Sequence, residues 1–230
     1  SLERLDDEFY KIKNLNVIDN KENRGNGAGI NVGLKSITTK YALYLDLDSY
    51  ISLGNLSKLL RYANLVKNFG VLIPNSSNKL THKKIYKTWN HEGSIMLFNL
   101  KVLKNKLFDE KYFLYFEEID FFLNCLKKNI NVFFVPKVIS SHARGTSIIE
   151  DNKINELRVW HYSWSQFYFY RKNFNFLYAM KKSLPIFLKS IFMIIPNLIK
   201  KDFKETKLGL VRISGFASSF LCLKSWKRIN

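Results

Sequence analysis

The stretch Tyr41–Asp48 reads YALYLDLD, an apolar run suited to a buried strand that stops on two aspartates one residue apart. In a parallel sheet, ligands lie beyond the carboxyl ends of the strands, which is where Asp46 and Asp48 stand. Two neighbouring carboxylates repel unless a proton or cation sits between them, and a hard divalent ion holding a diphosphate removes that cost. A solvated strand-to-loop turn gives the same pattern, since Asp is a common turn residue. The pair alone therefore does not decide.

Outward from this strand the chain alternates. Upstream, residues 1–14 read as helix or loop, LNVID (Leu15–Asp19) predicts a short strand, NRGNGAG (Asn23–Gly29) is glycine-rich loop, and AGINVGLKSI (Ala28–Ile37) has helical spacing with Ala28, Ile30, Leu34 and Ile37 on one face. Downstream come an amphipathic helix (Asn55–Phe69), the strand GVLIPN (Gly70–Asn75), a strand over Ser94–Phe98, a short helix near Leu100–Lys106, a helix over Glu117–Lys128 and the strand NVFFVP (Asn131–Pro136). This rhythm predicts an α/β fold, a mainly parallel sheet flanked by helices. Beyond Arg144 the texture turns aromatic and basic. A boundary near Ile149–Asn155 then separates a domain over residues 1–150 from a helical, basic and aromatic C-terminal region over residues 151–230.

Of 230 residues, 47% are hydrophobic, enough for a sizeable core and against disorder. The formal charge of +18 favours anionic partners, and +11 of it falls between Trp160 and Asn230, where 13 basic residues meet 2 acidic ones. Cys125 and Cys222 lie far apart without CxxC or Cys/His spacing, which argues against a disulfide scaffold or a structural zinc and fits a reducing compartment. No run of about 18 uncharged apolar residues occurs, so a spanning helix is not expected.

Three further features carry chemistry. Glycines within Asn23–Leu34 let a backbone approach phosphate or sugar at a helix N-terminus, although Gly25, Gly27 and Gly29 do not make the dinucleotide fingerprint. Glu117, Glu118 and Asp120 cluster where a helix begins. There they complement the helix dipole, or, among large aromatic residues, gain the raised proton affinity of a general base. SSHARGTS (Ser140–Ser147) supplies His142 and Arg144: an ordinary loop histidine, or a metal or phosphate contact if it folds over Asp48.

In order, NRGNGAGINVGL, YALYLDLD, GSIMLFN, FDEKYFLYFEEIDFFL and VFFVPKVISSHARGTS resemble the successive motifs of family 2 glycosyltransferases, especially the bacterial rhamnosyltransferase-like members, across Asn23–Ser147. The resemblance implies a GT-A fold and an inverting hexosyltransferase in bacterial surface polysaccharide synthesis. It would move a sugar from a UDP- or dTDP-linked donor to a glycan or lipid-linked acceptor. It also implies Asp48 as ligand of Mn2+ or Mg2+, with Asp46 beside it and His142 closing the site near the diphosphate. Glu118 takes the place of the base, with Glu117 or Asp120 as alternatives. Asn23, Gly25, Gly29, Asn31, Asp46, Gly93, Ser94 and Arg144 fall on donor-binding positions. Two departures stand out. Glu118 occupies a position that is Asp in the family, and nothing upstream of Leu15 resembles the family's opening strand and base-holding segment. The expectation is an N-terminally shortened or degenerate chain with an open sheet edge.

In KKSLPIFLKSIFMIIPNLIKK (Lys181–Lys201) a helix places Lys182, Lys189, Asn197 and Lys200 on one stripe, limited or kinked by Pro185 and Pro196. An interfacial helix on an anionic membrane and a core helix both fit. The first implies a cytoplasmic enzyme, peripheral on the inner face of the plasma membrane. Two rival functions remain: a basic nucleic-acid-binding protein whose aromatic residues stack bases, with no use for the acidic residues, and a catalytically inactive scaffold.

Overall fold

The computed structural model describes residues 13–77, 83–104, 107–143 and 152–228. In chain order the elements are α1 (Asn26–Ser36), β1 (Tyr41–Leu45), β2 (Ser49–Tyr50), α2 (Leu53–Leu65), β3 (Phe69–Asn75), β4 (Tyr86–Lys87), β5 (Ile95–Asn99), α3 (Leu100–Leu103), α4 (Glu117–Lys127), β6 (Asn131–Ile139), β7 (Ser141–His142), α5 (Asn152–Asn173), α6 (Phe176–Ile199) and α7 (Phe203–Phe220).

Five strands form one sheet in the order β1-β5-β3-β6-β4. β3 and β6 pair in parallel, whereas β5 pairs antiparallel with both β1 and β3, and β4 antiparallel with β6. Three strands, β1, β3 and β6, therefore share a direction, and β5 is inserted between two of them in reverse. Leu15–Asp19 forms no strand. Its Leu15, Val17 and Ile18 are exposed, without the buried face that holds a short strand in register.

Alternation along the strands sorts side chains to two faces. Val71, Ile73, Met96, Phe98, Val132 and Phe134 meet Ile30 of α1 and Phe121, Phe122 and Cys125 of α4. Leu72, Leu97, Val135 and Val138 meet Leu59 and Ala63 of α2 on the other face. Helices thus cover both sides of a mixed sheet, as the alternating pattern predicts. α2 is capped by Ser52, whose side chain accepts from the Asn55 N–H.

The expected boundary near Ile149–Asn155 lies partly outside the described residues, and its described part, from Asn152, is the start of α5. The helices after it share a core with what precedes it: Trp160, Trp164 and Phe169 of α5 pack with Tyr112, Phe116, Ile119 and Leu123. These aromatic residues are used internally, which removes them from the base-stacking surface that the nucleic-acid reading requires. α6 differs from α5. By length and composition it is apolar enough to cross a membrane, yet only 11% of its apolar window is buried. Lys181, Lys182 and Lys189 interrupt its uncharged run without ending the helix.

Candidate active site

β1 delivers Asp46 to the rim of the sheet, where its backbone N–H donates to the Ser94 carbonyl at 2.9 Å. The chain then turns, with the Ser49 N–H bonded to the Asp46 carbonyl at 3.0 Å, and β2 pairs antiparallel with β7, Ser49 opposite His142. This two-stranded clasp lays His142 over the aspartates. Its Nε2 is 3.0 Å from Asp48 Oδ1 and 3.9 Å from Asp46 Oδ2, and its Nδ1 is 2.7 Å from Glu92 Oε1. A carboxylate offers only acceptors, so Nδ1 carries the proton of that bond. By the same rule Nε2 donates to Asp48 when the ring carries a second proton, and in the neutral ring it offers its lone pair to a cation held between the two aspartates. Asp46, Asp48 and His142 each place one donor atom within 4.8 Å of the others. Burial holds the Asp46 carboxyl above its ordinary range despite the hydrogen bond from Tyr44.

The acidic residues of α4 enter from the side. Two successive left-handed residues, Tyr115 (φ 68°) and Phe116 (φ 69°), precede the helix and set the direction of its first turn. Such conformations cost non-glycine residues on the order of 1–3 kcal/mol each and concentrate at functional sites. Glu117 is 3% exposed; its Oε1 accepts from Asn26 Nδ2 at 3.2 Å and its Oε2 makes no hydrogen bond among the described residues. The Tyr44 hydroxyl donates to the Asp46 carboxylate and stands 3.0 Å from Asn26 Oδ1, so Asp46, Tyr44, Asn26 and Glu117 form a continuous polar chain. Glu118 is half-buried beside Gly93, where an added Cβ would lie 3.2 Å from the Glu118 Cβ. Burial first, then the charge of Glu117, pushes the Glu118 carboxyl up to about 8, and burial raises Glu117 as well.

Three consecutive residues before β5 join these parts. Glu92 orients His142, Gly93 leaves room for Glu118, and Ser94 holds Asp46.

The structure distributes the other expected residues differently. Asn23 accepts from the Gly25 N–H at 3.1 Å and so shapes its own loop. Gly25 has φ 98° and presses on Phe113, where a Cβ would lie 2.3 Å from the carbonyl oxygen; glycine is required for this close approach. The position at Gly29 faces open space. Asn31, expected at the donor, is turned inward instead. Its amide accepts from the Phe108 N–H at 2.8 Å and donates to the Phe108 carbonyl and Glu110 Oε1, both at 3.0 Å, stapling α1 to the segment before α4. Asp120 does not join the acidic pair: it is 1% exposed and engaged by Tyr112, Asn124, Lys172 and Asn173, a tie between α4 and α5. The packing of α5 explains this, since Lys172 and Asn173 reach Asp120 from that helix. Arg144 lies outside the described residues.

Tyr44, Asn26 and Glu92 escaped the sequence reading. Tyr44 had a legible signal, because residues i and i+2 of a strand share a face and Asp46 follows it by two. Glu92 had none, since its partner is 50 residues away.

The family model for glycosyl transferase family 2 matches residues 2–122, a span that holds the glycine loop, the aspartates and the acidic pair. The comparison with curated proteins finds no match. Among solved structures the chain is similar to the mannosyltransferase PcManGT from Pyrobaculum calidifontis in complex with GDP-Man and Mn2+, with TM-score 0.52 and 13% sequence identity, over 88% of this chain and 68% of that one. At that identity the likeness concerns the fold. With a family match over more than half its length and this geometry at the sheet rim, the chain belongs to glycosyl transferase family 2.

Proposed function

We propose that this chain is a metal-dependent, inverting glycosyltransferase that moves a sugar from a nucleotide-diphosphate donor to a hydroxyl of a glycan or lipid-linked acceptor in surface polysaccharide synthesis. The observation that carries this reading is the convergence of Asp46, Asp48 and His142 at one sheet edge, with the Glu117–Glu118 pair linked to it through Asn26 and Tyr44.

Two carboxylate oxygens and one imidazole nitrogen suit a divalent ion that accepts both, which favours Mn2+ over Mg2+, a cation bound mainly through oxygen and water. When bound, the ion neutralises the charge that develops on the departing nucleotide diphosphate. The chain's own residues supply the rest. The acceptor oxygen forms a bond to the anomeric carbon as the bond from that carbon to the diphosphate oxygen breaks, and the hydroxyl proton passes to a carboxylate. Glu118 suits this role better than Glu117, because it is half-buried and reachable while Glu117 is nearly sealed. Its raised proton affinity matches a base that works near neutral pH.

The test is a thermal-shift titration with uridine, thymidine and guanosine diphosphates and their sugars, with and without Mn2+, in the parent chain and Asp48→Asn. A ligand at a hundredfold its dissociation constant stabilises the fold by about 2.7 kcal/mol. A metal-dependent shift that disappears in Asp48→Asn supports the reading and identifies the base. A folded chain that shows no shift refutes it and favours an inactive scaffold.

A further inference from the structure

α6 reverses the distribution expected of a helix on a soluble protein. Its buried residues are Ala179, Ser183 and Ser190, whereas Leu177, Phe192, Ile195 and Ile199 are 78%, 73%, 67% and 76% exposed. The inward side is mixed: Ala179, Met180 and Phe187 pack against Phe167 of α5 and Phe216 of α7, while Arg212 Nη1 donates to Ser190 Oγ at 3.2 Å and a small cavity between the three helices is lined by Ser163, Gln166, Ser183 and Arg212 together with apolar side chains. α7 packs against this side with Gly209 facing Ile194 and the Ser190 carbonyl, where a Cβ would make ordinary contacts at 3.4 and 3.5 Å. Small and polar residues inside with large apolar ones outside is how helices pack in apolar surroundings.

The lysines decide how such surroundings are met. Lys182, Lys189 and Lys200 are all exposed, and their spacings of seven and eleven residues put them on one flank along the whole length of α6. The exposed Leu177, Phe192, Ile195 and Ile199 run beside them. A helix crossing a bilayer would bury Lys189 in hydrocarbon, whereas one lying in the interface keeps all three lysines at headgroup level. The excess of 13 basic over 2 acidic residues from Trp160 onward supplies the charge complement of an anionic surface.

We propose that α6, together with the exposed Phe203 at the start of α7, is an in-plane docking surface for an anionic lipid bilayer. This inference rests on the helix surface and not on the transferase chemistry, so each fails separately.

The test adds the full chain to preformed phosphatidylcholine vesicles with and without one third phosphatidylglycerol and measures co-sedimentation. The expected result is binding to the anionic vesicles, weakened about fivefold by each of Lys182→Gln, Lys189→Gln and Lys200→Gln. It is abolished in Phe192→Glu/Ile195→Glu, whose unchanged circular-dichroism melting shows an intact fold. Nitroxide labels on cysteines introduced at Leu177, Phe192 and Ile199, in a Cys222→Ser background, report one shallow depth. Three results overturn the proposal: depths graded from surface to mid-bilayer, which mean a spanning helix; lipid-free self-association abolished by Phe192→Glu/Ile195→Glu without vesicle binding, which means a second copy covers this face; or no vesicle binding by the folded chain.

Discussion

Removing the Glu92 carboxylate weakens metal binding through His142. Glu92 Oε1 and His142 Nδ1 are 2.7 Å apart, and the same imidazole points Nε2 at Asp48 from 3.0 Å. Carboxylates placed behind a ligating histidine fix its tautomer and orientation, and their loss typically costs 10- to 100-fold in metal affinity, or about 1.4–2.7 kcal/mol. The Glu92 side chain is 37% exposed, so water replaces part of what it provides, and Glu92→Ala falls near the lower end, about tenfold. Glu92→Gln keeps an oxygen acceptor for Nδ1 and loses less. The assay is Mn2+ titration of the nucleotide-free chain, followed by the electron paramagnetic resonance signal of the free ion. The deciding comparison is a double-mutant cycle with His142→Ala. If Glu92 acts through the imidazole, Glu92→Ala costs nothing further once His142 is gone. An equal loss in both backgrounds, or unchanged affinity in Glu92→Ala alone, refutes the positioning role.

Glu118→Gln lowers turnover by about 10²- to 10⁴-fold while Mn2+ and nucleotide binding, read by thermal shift, stay close to the parent; retained turnover removes Glu118 from the base role. The rate of the parent chain rises with pH as Glu118 loses its proton, because a general base acts only when deprotonated, and the rise lies above the ordinary glutamate range since burial raises this carboxyl. Stability moves the opposite way. A carboxyl whose folded-state pKa is raised favours the fold most below its unfolded value and loses that contribution as pH climbs through the raised value, so Glu118→Gln raises the melting temperature at neutral and alkaline pH. Gly25→Ala destabilises the fold by about 1–3 kcal/mol in chemical denaturation, through its φ of 98° and the clash with Phe113. Asn31→Ala leaves the buried Phe108 N–H and carbonyl without their partner and costs about 1–3 kcal/mol in the same assay.

The α/β alternation was legible because each element writes its own period into the chain: two for the strands around YALYLDLD, near 3.6 for the helices of Asn55–Phe69 and Glu117–Lys128. Strand direction was not legible. Nothing local in IMLFN says that it runs against both neighbours, since pairing is settled between strands far apart in sequence. Asn31 and Asp120 show the same limit at single residues. Both sit in motifs that carry chemistry, and both are used for structure because the face each presents is occupied by Phe108 and Lys172, distant in the chain. In α6 the apolar helix with its lysine stripe was legible over Lys181–Lys201, but which of its faces is left outside was not. A lysine stem reaches to one side while the rest of the helix surface stays apolar.

Sequence by itself determined the class of fold, the acidic pair at the end of a strand, the acidic start of α4 and the basic bias of the last third, since these follow from residue type and short-range spacing. Only the tertiary structure decided that His142 closes over the aspartates, that Glu92 stands behind it, that Glu118 is the more reachable member of its pair and that the apolar face of α6 is left outside. Each of these depends on contacts between segments tens of residues apart, whose geometry is set by the packing of the whole sheet and its helices rather than by any stretch of the chain.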